Sequence, residues 1–365
     1  MTNVTHNVLT VVLPAYNERE NVDFLVTALY RADIHSQIKR IIYVDDDSPD
    51  LTSEHIKSSH YPIDVLCIHR IGRQGLSSAV VEGILLADTQ YVAVMDADGQ
   101  HTPDDLMEML RLAIADGDQL VIGSRFKNQA TVETHAGLRS LLSKVGNRLA
   151  NHVLRRQLSD PLTGFFLMER SLFADIAHQV RGSGFKILID VIYNLRDKNI
   201  KIAETQIQFQ QRLHGESKLD SGVMIEFVDQ MIGLFIGKIY PEKLIGFLMV
   251  GVFGMCVHLS ILYLTFFILS FSFMVAQTTA TLIAMVTNFA LNNLLTFRRN
   301  RLKGIEWLKG LIYFVLVCSL GAIANVGIAG YIFKLDIIWW LSGLAGIIVG
   351  TVFNFTLSKY FIWKK

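Results

Sequence analysis

Two aspartates that follow an apolar run are the residues best suited to chemistry in this sequence. The run "YVAVM" (91–95) leads into "DADGQ" (96–100), which places Asp96 and Asp98 one residue apart. Side chains alternate along an extended segment, so these two carboxylates can point to the same side. Hard oxygen donors of this kind bind Mg²⁺ or Mn²⁺, ions that commonly share their coordination with substrate phosphates. The spacing predicts a divalent-metal site at Asp96 and Asp98, with Gln100 as a third oxygen donor.

A simpler interpretation of this aspartate pair also exists. Acidic residues at the end of a strand often form turns or cap helices, and "HTPDDL" (101–106) supplies a cap and a proline for a following helix. The metal interpretation therefore depends on partner motifs elsewhere in the chain.

Five short runs rich in β-branched residues position this segment, and each precedes a helical pattern. They are residues 8–14, 38–47, 63–68, 91–96 and 119–124. Such alternation predicts an α/β fold with a mostly parallel sheet, in which ligands bind at the carboxyl ends of the strands. Three of those ends carry polar residues, at 14–18, 45–48 and 96–100.

The loop after the first run argues against two common nucleotide-binding folds. It reads "PAYNERE" (14–20), without the glycine-rich turn of a dinucleotide-binding Rossmann domain, and the chain has no Gly-Lys-Ser or Gly-Lys-Thr phosphate loop. A bound nucleotide would need another means of neutralising its phosphates, and a metal held by carboxylates would provide it.

The last third of the chain is far more apolar than the rest. Of the 365 residues 51% are hydrophobic, and Leu244 to Phe297 contains no Asp, Glu, Lys or Arg. A second apolar block runs from 311 to 358. About 20 residues make one helical span, so each block can cross a bilayer twice. We predict four transmembrane helices, at about 244–269, 274–297, 309–333 and 338–361.

Basic residues predict the orientation of these helices. "RRNRLKG" (298–304) and the closing Lys364 and Lys365 follow the second and fourth spans, which favours a cytoplasmic location for both. We expect a multi-pass membrane protein with both termini and the large N-terminal domain in the cytoplasm, at the plasma membrane if the source is prokaryotic. The N-terminus lacks the pattern of a cleaved signal peptide. The expected divisions are a catalytic domain (1–220), a linker or interfacial helix (221–243) and a membrane domain (244–365).

Composition argues against several other classes of protein. The net charge is +1, and no basic stretch interleaved with aromatic residues indicates nucleic-acid binding. The three cysteines Cys67, Cys256 and Cys318 lack the paired spacing of a disulfide framework or a zinc site.

Seven motifs, in chain order, resemble the dolichol (polyprenol) phosphate mannose synthase group of family 2 glycosyltransferases. They are "LPAYNERENV" (13–22), "VDDDSPDLT" (44–52), "GRQGLSSAVVEGI" (72–84), "MDADGQHTPDDL" (95–106), "GSRF" (123–126), "DPLTGFF" (160–166) and "RLHGESKL" (212–219). Three later stretches resemble the GtrA-like four-helix membrane domain of some members, namely 247–264, 288–299 and 354–365. The resemblance implies a GT-A type catalytic domain followed by that membrane domain.

The same resemblance implies a reaction and a set of site residues. The enzyme would be an inverting, metal-dependent glycosyltransferase that moves a hexose, most simply mannose from GDP-mannose, onto dolichyl or polyprenyl phosphate; UDP-glucose or another UDP-sugar is the alternative donor. The residues implied for the donor nucleotide are Pro14, Tyr16, Glu18, Val44, Asp46, Asp96, Ala97, Asp98, Gln100, Arg125, Arg212 and Lys218. Those implied for the acceptor phosphate are Arg125, Arg139 and Ser143, and those implied for catalysis are Asp98, Arg125 and Arg212.

An acceptor of this kind changes what the protein must supply. The second ionisation of a phosphate lies near about pH 6, so at neutral pH the acceptor is already an oxyanion and needs no general base. The demand is instead to bind two anionic substrates together, for which arginine is suited because its planar fork binds phosphate oxygens in pairs.

Two segments are candidates for helices on the membrane surface. Residues 134–159 contain no acidic residue, and Arg139 and Ser143 share one helical face. Residues 221–240 also show apolar residues at helical spacing, although a packed core or linker helix explains that pattern as well. We expect the loop at 212–219 to close over the donor.

Two positions depart from the family pattern. Asp47 replaces a usual Asn, Gly or Ala, and Asp190 replaces a usual Glu, which leaves the role of that carboxylate in doubt.

Two other functions are alternatives. A processive polysaccharide synthase would carry a Gln-x-x-Arg-Trp motif, yet all four tryptophans lie in the membrane half, at 307, 339, 340 and 363. A flippase of lipid-linked sugars would explain polar residues at membrane depth, as would hydrogen bonding between helices. Those residues are His258, Asn288, Asn292, Asn293, Asn325 and Asn354.

Overall fold

In a computed structural model, the chain forms two compact units. The structure describes residues 7–72, 75–127, 147–148, 150–180, 182, 186–208, 210, 229–234, 236, 243–333, 335, 348–349 and 351–363. The first unit comprises residues 1–223 and 230–239, and the second comprises residues 224–229 and 240–365.

A seven-stranded sheet organises the first unit. Its strands are β1 (Leu9–Ala15), β2 (Ile38–Asp45), β3 (Val65–His69), β4 (Tyr91–Val94), β5 (Leu120–Ser124), β6 (Phe166–Glu169) and β7 (Ile202–Gln206). Their order across the sheet is β3-β2-β1-β4-β6-β5-β7, and every neighbouring pair is parallel except the two that β6 makes with β4 and β5. The prediction of an α/β fold with a mostly parallel sheet is confirmed.

Two of the seven strands were not among the five predicted. Strand β6 has four residues, "FLME", and strand β7, "IAETQ", has no run of apolar side chains. A strand of four residues gives too little sequence for its period to be recognised, and β6 is defined by its antiparallel pairing with buried neighbours.

Six helices flank the sheet in the described part of the first unit. They are α1 (Arg19–Arg31), α2 (Thr52–Ser58), α3 (Leu76–Leu86), α4 (Pro103–Ala115), α5 (Arg170–Ile176) and α6 (Ile187–Leu195), and residues 150–154 and 230–234 are also helical. Helix α4 begins at the expected cap, because the Thr102 hydroxyl accepts a hydrogen bond from the Asp105 amide at 3.1 Å and Pro103 fills the first turn.

The core of the first unit lies between the sheet and helices α1 and α4. Strand β1 is buried at all seven positions, as expected for a strand covered on both faces. Its Val11 and Leu13 belong to one buried cluster with Leu25 of α1 and Met109 of α4. This packing fixes the strand ends from which the polar loops emerge.

The second unit is helical. Its helices are α7 (Leu244–Tyr263), α8 (Phe273–Leu291) and α9 (Ile305–Phe333), and residues 351–357 form a further helix. Short π-helices follow at Leu264–Ile268, Asn292–Thr296 and Ser358–Ile362. Within the described ranges, one helical segment, Leu244–Ile268, is long and apolar enough to cross a bilayer on length and composition.

Two stretches of the second unit repeat each other in sequence and in local structure. These are "NFALNNLLTF" (288–297) and "NFTLSKYFIW" (354–363). Each passes from α-helix to π-helix, and the last residue donates its backbone N–H to a carbonyl five residues earlier, from Phe297 to Asn292 at 2.8 Å and from Trp363 to Ser358 at 3.1 Å.

The first residue of each stretch packs against a glycine. Asn288 lies on Gly254 and Asn354 lies on Gly321, so closely that a β-carbon at either glycine would overlap the amide oxygen. Close contact of this kind between helices is typical of small residues in membrane proteins.

The aromatic contacts between the two stretches follow the same repeat. The rings of Phe297 and Trp363 stack with centroids 4.3 Å apart and an interplanar angle of 6°. Phe247 meets Phe355 at 5.4 Å, and the equivalent pair, Phe314 with Phe289, is at 5.7 Å. Each of these pairs joins a residue of the first half, which ends in the stretch 288–297, to a residue of the second half, which ends in the stretch 354–363. The contacts therefore recur when the two halves are exchanged.

Candidate active site

The polar loops at the carboxyl edge of the sheet are tied to one another. The backbone N–H of Asn17 donates to the Ser48 hydroxyl at 2.9 Å, and that of Glu18 donates to the Thr52 hydroxyl at 3.2 Å. These bonds join the loop after β1 to the loop after β2. The edge is therefore held together before any ligand binds.

The residues expected to bind the base and ribose lie along this edge. Pro14 and Val44 are direct partners in the register of β1 and β2, and both are buried. Glu18 is also buried and accepts a hydrogen bond from the Asn21 amide at 2.7 Å, whereas Tyr16 is partly exposed. The structure brings all four to the ends of two adjacent strands.

Asp46 forms a buried ion pair that sequence reasoning missed. Arg70 donates to one of its carboxylate oxygens at 2.9 Å, and the Gly75 N–H donates to the other at 2.8 Å. The side chains of Arg70 and Asp46 are only 3% and 7% exposed. Arg70 also donates to Ser78 on α3 at 2.8 Å, so this arginine fixes the orientation of Asp46. The two partners are far apart in sequence and share no motif, so no signal in the sequence indicated the pair.

A small cavity of about 60 Å³ opens beside Asp96. It is lined by Pro14, Leu76, Val80, Val94, Asp96, Thr163, Gly164, Lys186 and Ile187. The Asp96 side chain remains 40% exposed, and the ring of the buried His101 lies 3.4 Å from its Oδ2. The His101 ring in turn packs on Phe165, with centroids 4.5 Å apart.

The charges around Asp96 keep it ionised. Burial alone would raise the pKa of this carboxyl group, but the hydrogen bond and charge of His101, with Lys186 and Arg125 beyond it, outweigh burial and lower the pKa. An anionic oxygen therefore faces the cavity.

Asp98 occupies a different environment from Asp96 although both lie in one tight turn. Asp98 is 5% exposed and accepts a hydrogen bond from the Gln100 N–H at 3.2 Å. Ala97 is buried between them, and Gly99 has a φ of +76°, a conformation that favours glycine. Gln100 donates its side-chain N–H to the Gln210 carbonyl at 3.0 Å, which ties this turn to the segment after β7.

The donor set of this turn suits a hard divalent ion. Within the described ranges no three His, Cys, Asp or Glu side chains come together as a metal cluster. Asp96, Asp98 and Gln100 offer two carboxylates and an amide oxygen, which is the chemistry that Mg²⁺ and Mn²⁺ prefer. An ion with only these three protein ligands would take its remaining ligands from a substrate diphosphate and water.

Arg125 is held rigidly next to this turn by a buried acid. Its guanidinium donates twice to Asp160, at 2.7 and 3.1 Å, and Asp160 is fully buried. Burial disfavours the charged guanidinium, but the bond to Asp160 more than compensates and raises the pKa of Arg125. Glu204 of β7 secures the segment from the other side, accepting from the backbone N–H and the hydroxyl of Ser159 at 2.8 and 2.9 Å.

Lys186 is a cation in the lining of the cavity that the sequence did not indicate. It stands in "FKILIDV", where Asp190 was the residue singled out. Burial and the nearby charge of Arg125 lower the pKa of Lys186, while Asp96 and Asp160 act in the opposite direction. Asp190 itself is 2% exposed and accepts a hydrogen bond from Asn194 at 3.2 Å within α6.

Four of the predicted site residues lie outside the described residues. These are Arg139, Ser143, Arg212 and Lys218, together with the whole 212–219 loop and the residues around Arg139 on the first candidate surface helix. The described part of the site therefore comprises the β1 and β2 loops, the 96–100 turn, Arg125 and Lys186.

Comparison with known families divides the chain in two. The profile of glycosyl transferase family 2 matches residues 10–177, and that of the GtrA/DPMS transmembrane domain matches residues 246–363.

Individual relatives show how far the similarity extends. A dolichol-phosphate mannosyltransferase from Pyrococcus furiosus is 30% identical over 359 residues, which is 97% of this chain and 99% of that protein. One from Saccharomyces cerevisiae is 30% identical over 247 residues, 66% of this chain and 91% of the yeast protein. Among solved structures, glucosyl-3-phosphoglycerate synthase from Mycobacterium tuberculosis, with Mn²⁺, uridine diphosphate and phosphoglyceric acid, gives a TM-score of 0.48 at 16% identity, covering 64% of this chain and 78% of that one.

Proposed function

This chain belongs to the dolichol-phosphate mannosyltransferase group of the family 2 glycosyl transferases, and we propose that it transfers mannose from GDP-mannose to dolichyl or polyprenyl phosphate with inversion at the sugar. The chain is a glycosyltransferase that forms a lipid-linked sugar. The identity of the donor and the inversion at the sugar are our proposals. The observation that carries the proposal is the cavity at the carboxyl edge of the sheet, which Asp96 and Lys186 line next to the expected nucleotide loops, with the charge of Arg125 also acting on Asp96.

The donor side follows from the described residues. Pro14, Tyr16 and Glu18, with Val44 and the fixed carboxylate of Asp46, would hold the base and ribose. Asp96, Asp98 and Gln100 would bind a divalent ion, which would bridge the donor diphosphate and stabilise the charge that develops as the sugar leaves. Ala97 would contact the nucleotide through its backbone, since its side chain is buried.

The acceptor side needs cations rather than a base. A lipid phosphate is largely dianionic at neutral pH and can attack without losing a proton. Arg125 is held in place by Asp160, so little side-chain entropy is lost when it meets a phosphate oxygen. We assign Arg139 and Ser143 to the acceptor phosphate, and Arg212 and Lys218 to the donor diphosphate, on the family motifs alone.

The membrane domain brings the acceptor lipid to the enzyme. The family match over residues 246–363 makes this a membrane protein. We propose four transmembrane helices, with both termini and the catalytic domain in the cytoplasm, at the plasma membrane if the source is prokaryotic. The repeat of two hairpins favours this even number of spans, because each hairpin supplies one Gly–Asn contact.

The experiment must distinguish GDP-mannose from UDP-glucose as the donor, and sugar transfer from transport. Purified full-length protein in lipid nanodiscs would be given polyprenyl phosphate and Mg²⁺ with GDP-mannose or UDP-glucose, and the lipid product analysed by mass spectrometry and anomeric NMR. We expect mannosyl phosphate lipid with inverted configuration from GDP-mannose. A glucosyl product alone would show that the donor is UDP-glucose and not GDP-mannose. The absence of any sugar lipid with both nucleotides would refute the proposal. Flipping of product in vesicles would instead support the transporter alternative.

A further inference from the structure

We propose that Lys186 binds a hydroxyl of the donor hexose and that Gln230 positions Lys186 for this contact. The inference rests on the proposed function, to which it adds a residue that contacts sugar and the support for that residue. The carrying observation is the pair of hydrogen bonds between Gln230 and the backbone of Lys186 at the edge of the Asp96 cavity.

The cavity has the size and lining of a pocket for part of a sugar. Its volume of about 60 Å³ is several times the roughly 10–15 Å³ that one water requires, and it is much too small for a nucleoside. Most of its lining is apolar, from Pro14 and Val94 at the strand ends to Leu76 and Val80 of α3. Apolar walls with a few polar groups are typical of sites that orient a neutral ligand.

The polar groups of the cavity can bind a sugar hydroxyl. Its polar lining residues are Asp96, Thr163 and Lys186, and the Thr163 hydroxyl already accepts from the Phe165 N–H at 3.2 Å. A sugar hydroxyl suits this pair, because it can donate to Asp96 and accept from the Lys186 ammonium at the same time.

Two acids and one further cation lie near Lys186. Asp96 and Asp160 are the acids, and Arg125 is the other cation, which is paired with Asp160. Lys186 and Asp96 both line the cavity, so a ligand hydroxyl there can meet both side chains.

Gln230 holds Lys186 from its backbone. The Lys186 N–H donates to Oε1 of Gln230 at 3.3 Å, and Nε2 of Gln230 donates to the Lys186 carbonyl at 2.9 Å. Lys186 is the residue just before α6, where backbone groups lack regular helix partners. Two bonds from one amide fix the peptide on both sides of the Lys186 α-carbon, and so fix where its side chain begins.

Affinity for two nucleotides separates a sugar contact from a phosphate contact. Full-length wild type, Lys186→Met and Lys186→Arg would be titrated with GDP-mannose and with GDP, in nanodiscs with Mg²⁺. We expect Lys186→Met to weaken GDP-mannose binding roughly 10- to 100-fold, the effect of losing a charged hydrogen bond, and to leave GDP binding unchanged. Lys186→Arg should recover part of the loss. Unchanged binding of both nucleotides, or equal weakening of both, would overturn the assignment; retained GDP affinity shows at the same time that the variant is folded.

Non-additivity tests the positioning role of Gln230. Gln230→Leu should weaken GDP-mannose binding in the same selective way, by a smaller factor, and the double variant with Lys186→Met should be no weaker than Lys186→Met alone. The control is Gln179→Leu, which removes an exposed glutamine at the end of α5. Additive losses in the double variant, or an equal effect from Gln179→Leu, would remove Gln230 from the proposal.

The donor test and this test fail independently. If the wild type transfers glucose rather than mannose, the proposed donor is wrong, and the same selective loss is then expected with UDP-glucose against UDP. If the wild type transfers mannose and the Lys186 variants bind GDP-mannose normally, the further inference alone is wrong.

Discussion

The carboxylate of Asp96 lies directly against Gly164: a β-carbon at that glycine would stand 3.0 Å from Oδ1 and 3.2 Å from Oδ2. Gly164→Ala would therefore push the carboxylate aside by a few tenths of an ångström. We expect kcat to fall roughly tenfold or more, because small displacements of a positioning group are costly in catalysis, while the unfolding temperature stays close to that of the wild type. Steady-state transfer assays and thermal unfolding would check this, and normal kcat would show that Asp96 does not act from its position here.

Asp98→Asn separates the charge of this residue from its role in the turn. An asparagine can still accept the Gln100 N–H, so the turn should persist, but it is a poor ligand for a hard cation. We expect transfer to fall by about 100-fold or more and donor affinity with Mg²⁺ to approach that of the wild type in chelator. Isothermal titration with and without Mg²⁺ measures the second effect. A variant that keeps its Mg²⁺ dependence would exclude Asp98 as a ligand.

Arg70→Met should destabilise the catalytic unit more than most single changes. It leaves Asp46 as a buried carboxylate without its cation, a loss that typically costs about 3–5 kcal/mol. Adding Asp46→Asn removes the unpaired charge and should restore part of that free energy of unfolding. Denaturant titration of the two variants tests this. The losses of unfolding free energy in Arg70→Met and Asp46→Asn could instead simply add in the double variant. That result would show that the two residues do not stabilise the fold as a pair.

The two Gly–Asn contacts of the second unit should respond alike to one change. Gly254→Ala and Gly321→Ala each place a methyl group on an asparagine amide, and overpacking of this kind costs about 1–3 kcal/mol. Gly251→Ala is the matched control, since a β-carbon at Gly251 meets nothing within 4 Å. Thermal unfolding in detergent should show similar losses for the first two variants and none for the control. A loss at only one glycine would contradict the equivalence of the two halves.

The sequence predicted those parts of the fold and site that depend on local patterns. Strands β1 to β5 were foreseen because β-branched runs end in turn residues. The metal site stays a prediction, since Asp96 and Asp98 lie in a tight turn rather than in the extended segment assumed from the sequence. What it could not predict depends on distant partners. Arg70 lies 24 residues from Asp46 and Gln230 lies 44 residues from Lys186. A lone lysine at the start of an apolar helix carries no periodic signal of its own.

The predicted membrane spans show what local composition cannot determine. Apolar sequence identified two long blocks, the second interrupted by Lys334 and Asp336, and the helices α7, α8 and α9 fall within or across them. Length and hydropathy single out Leu244–Ile268 alone among the described segments, so the count of four stays a prediction.

The stack of Phe297 on Trp363 has a consequence for the origin of the membrane domain. If the four proposed spans are present, each half crosses the membrane twice and the chain returns to the side from which it started. Both halves would then have the same orientation and be related by a two-fold axis along the membrane normal. A single hairpin could form the same arrangement by pairing with another copy of itself. On the axis, such a dimer must place identical residues face to face. Joining the copies in one chain releases that restriction, and the two axial positions now differ, with a phenyl ring on one side and an indole on the other.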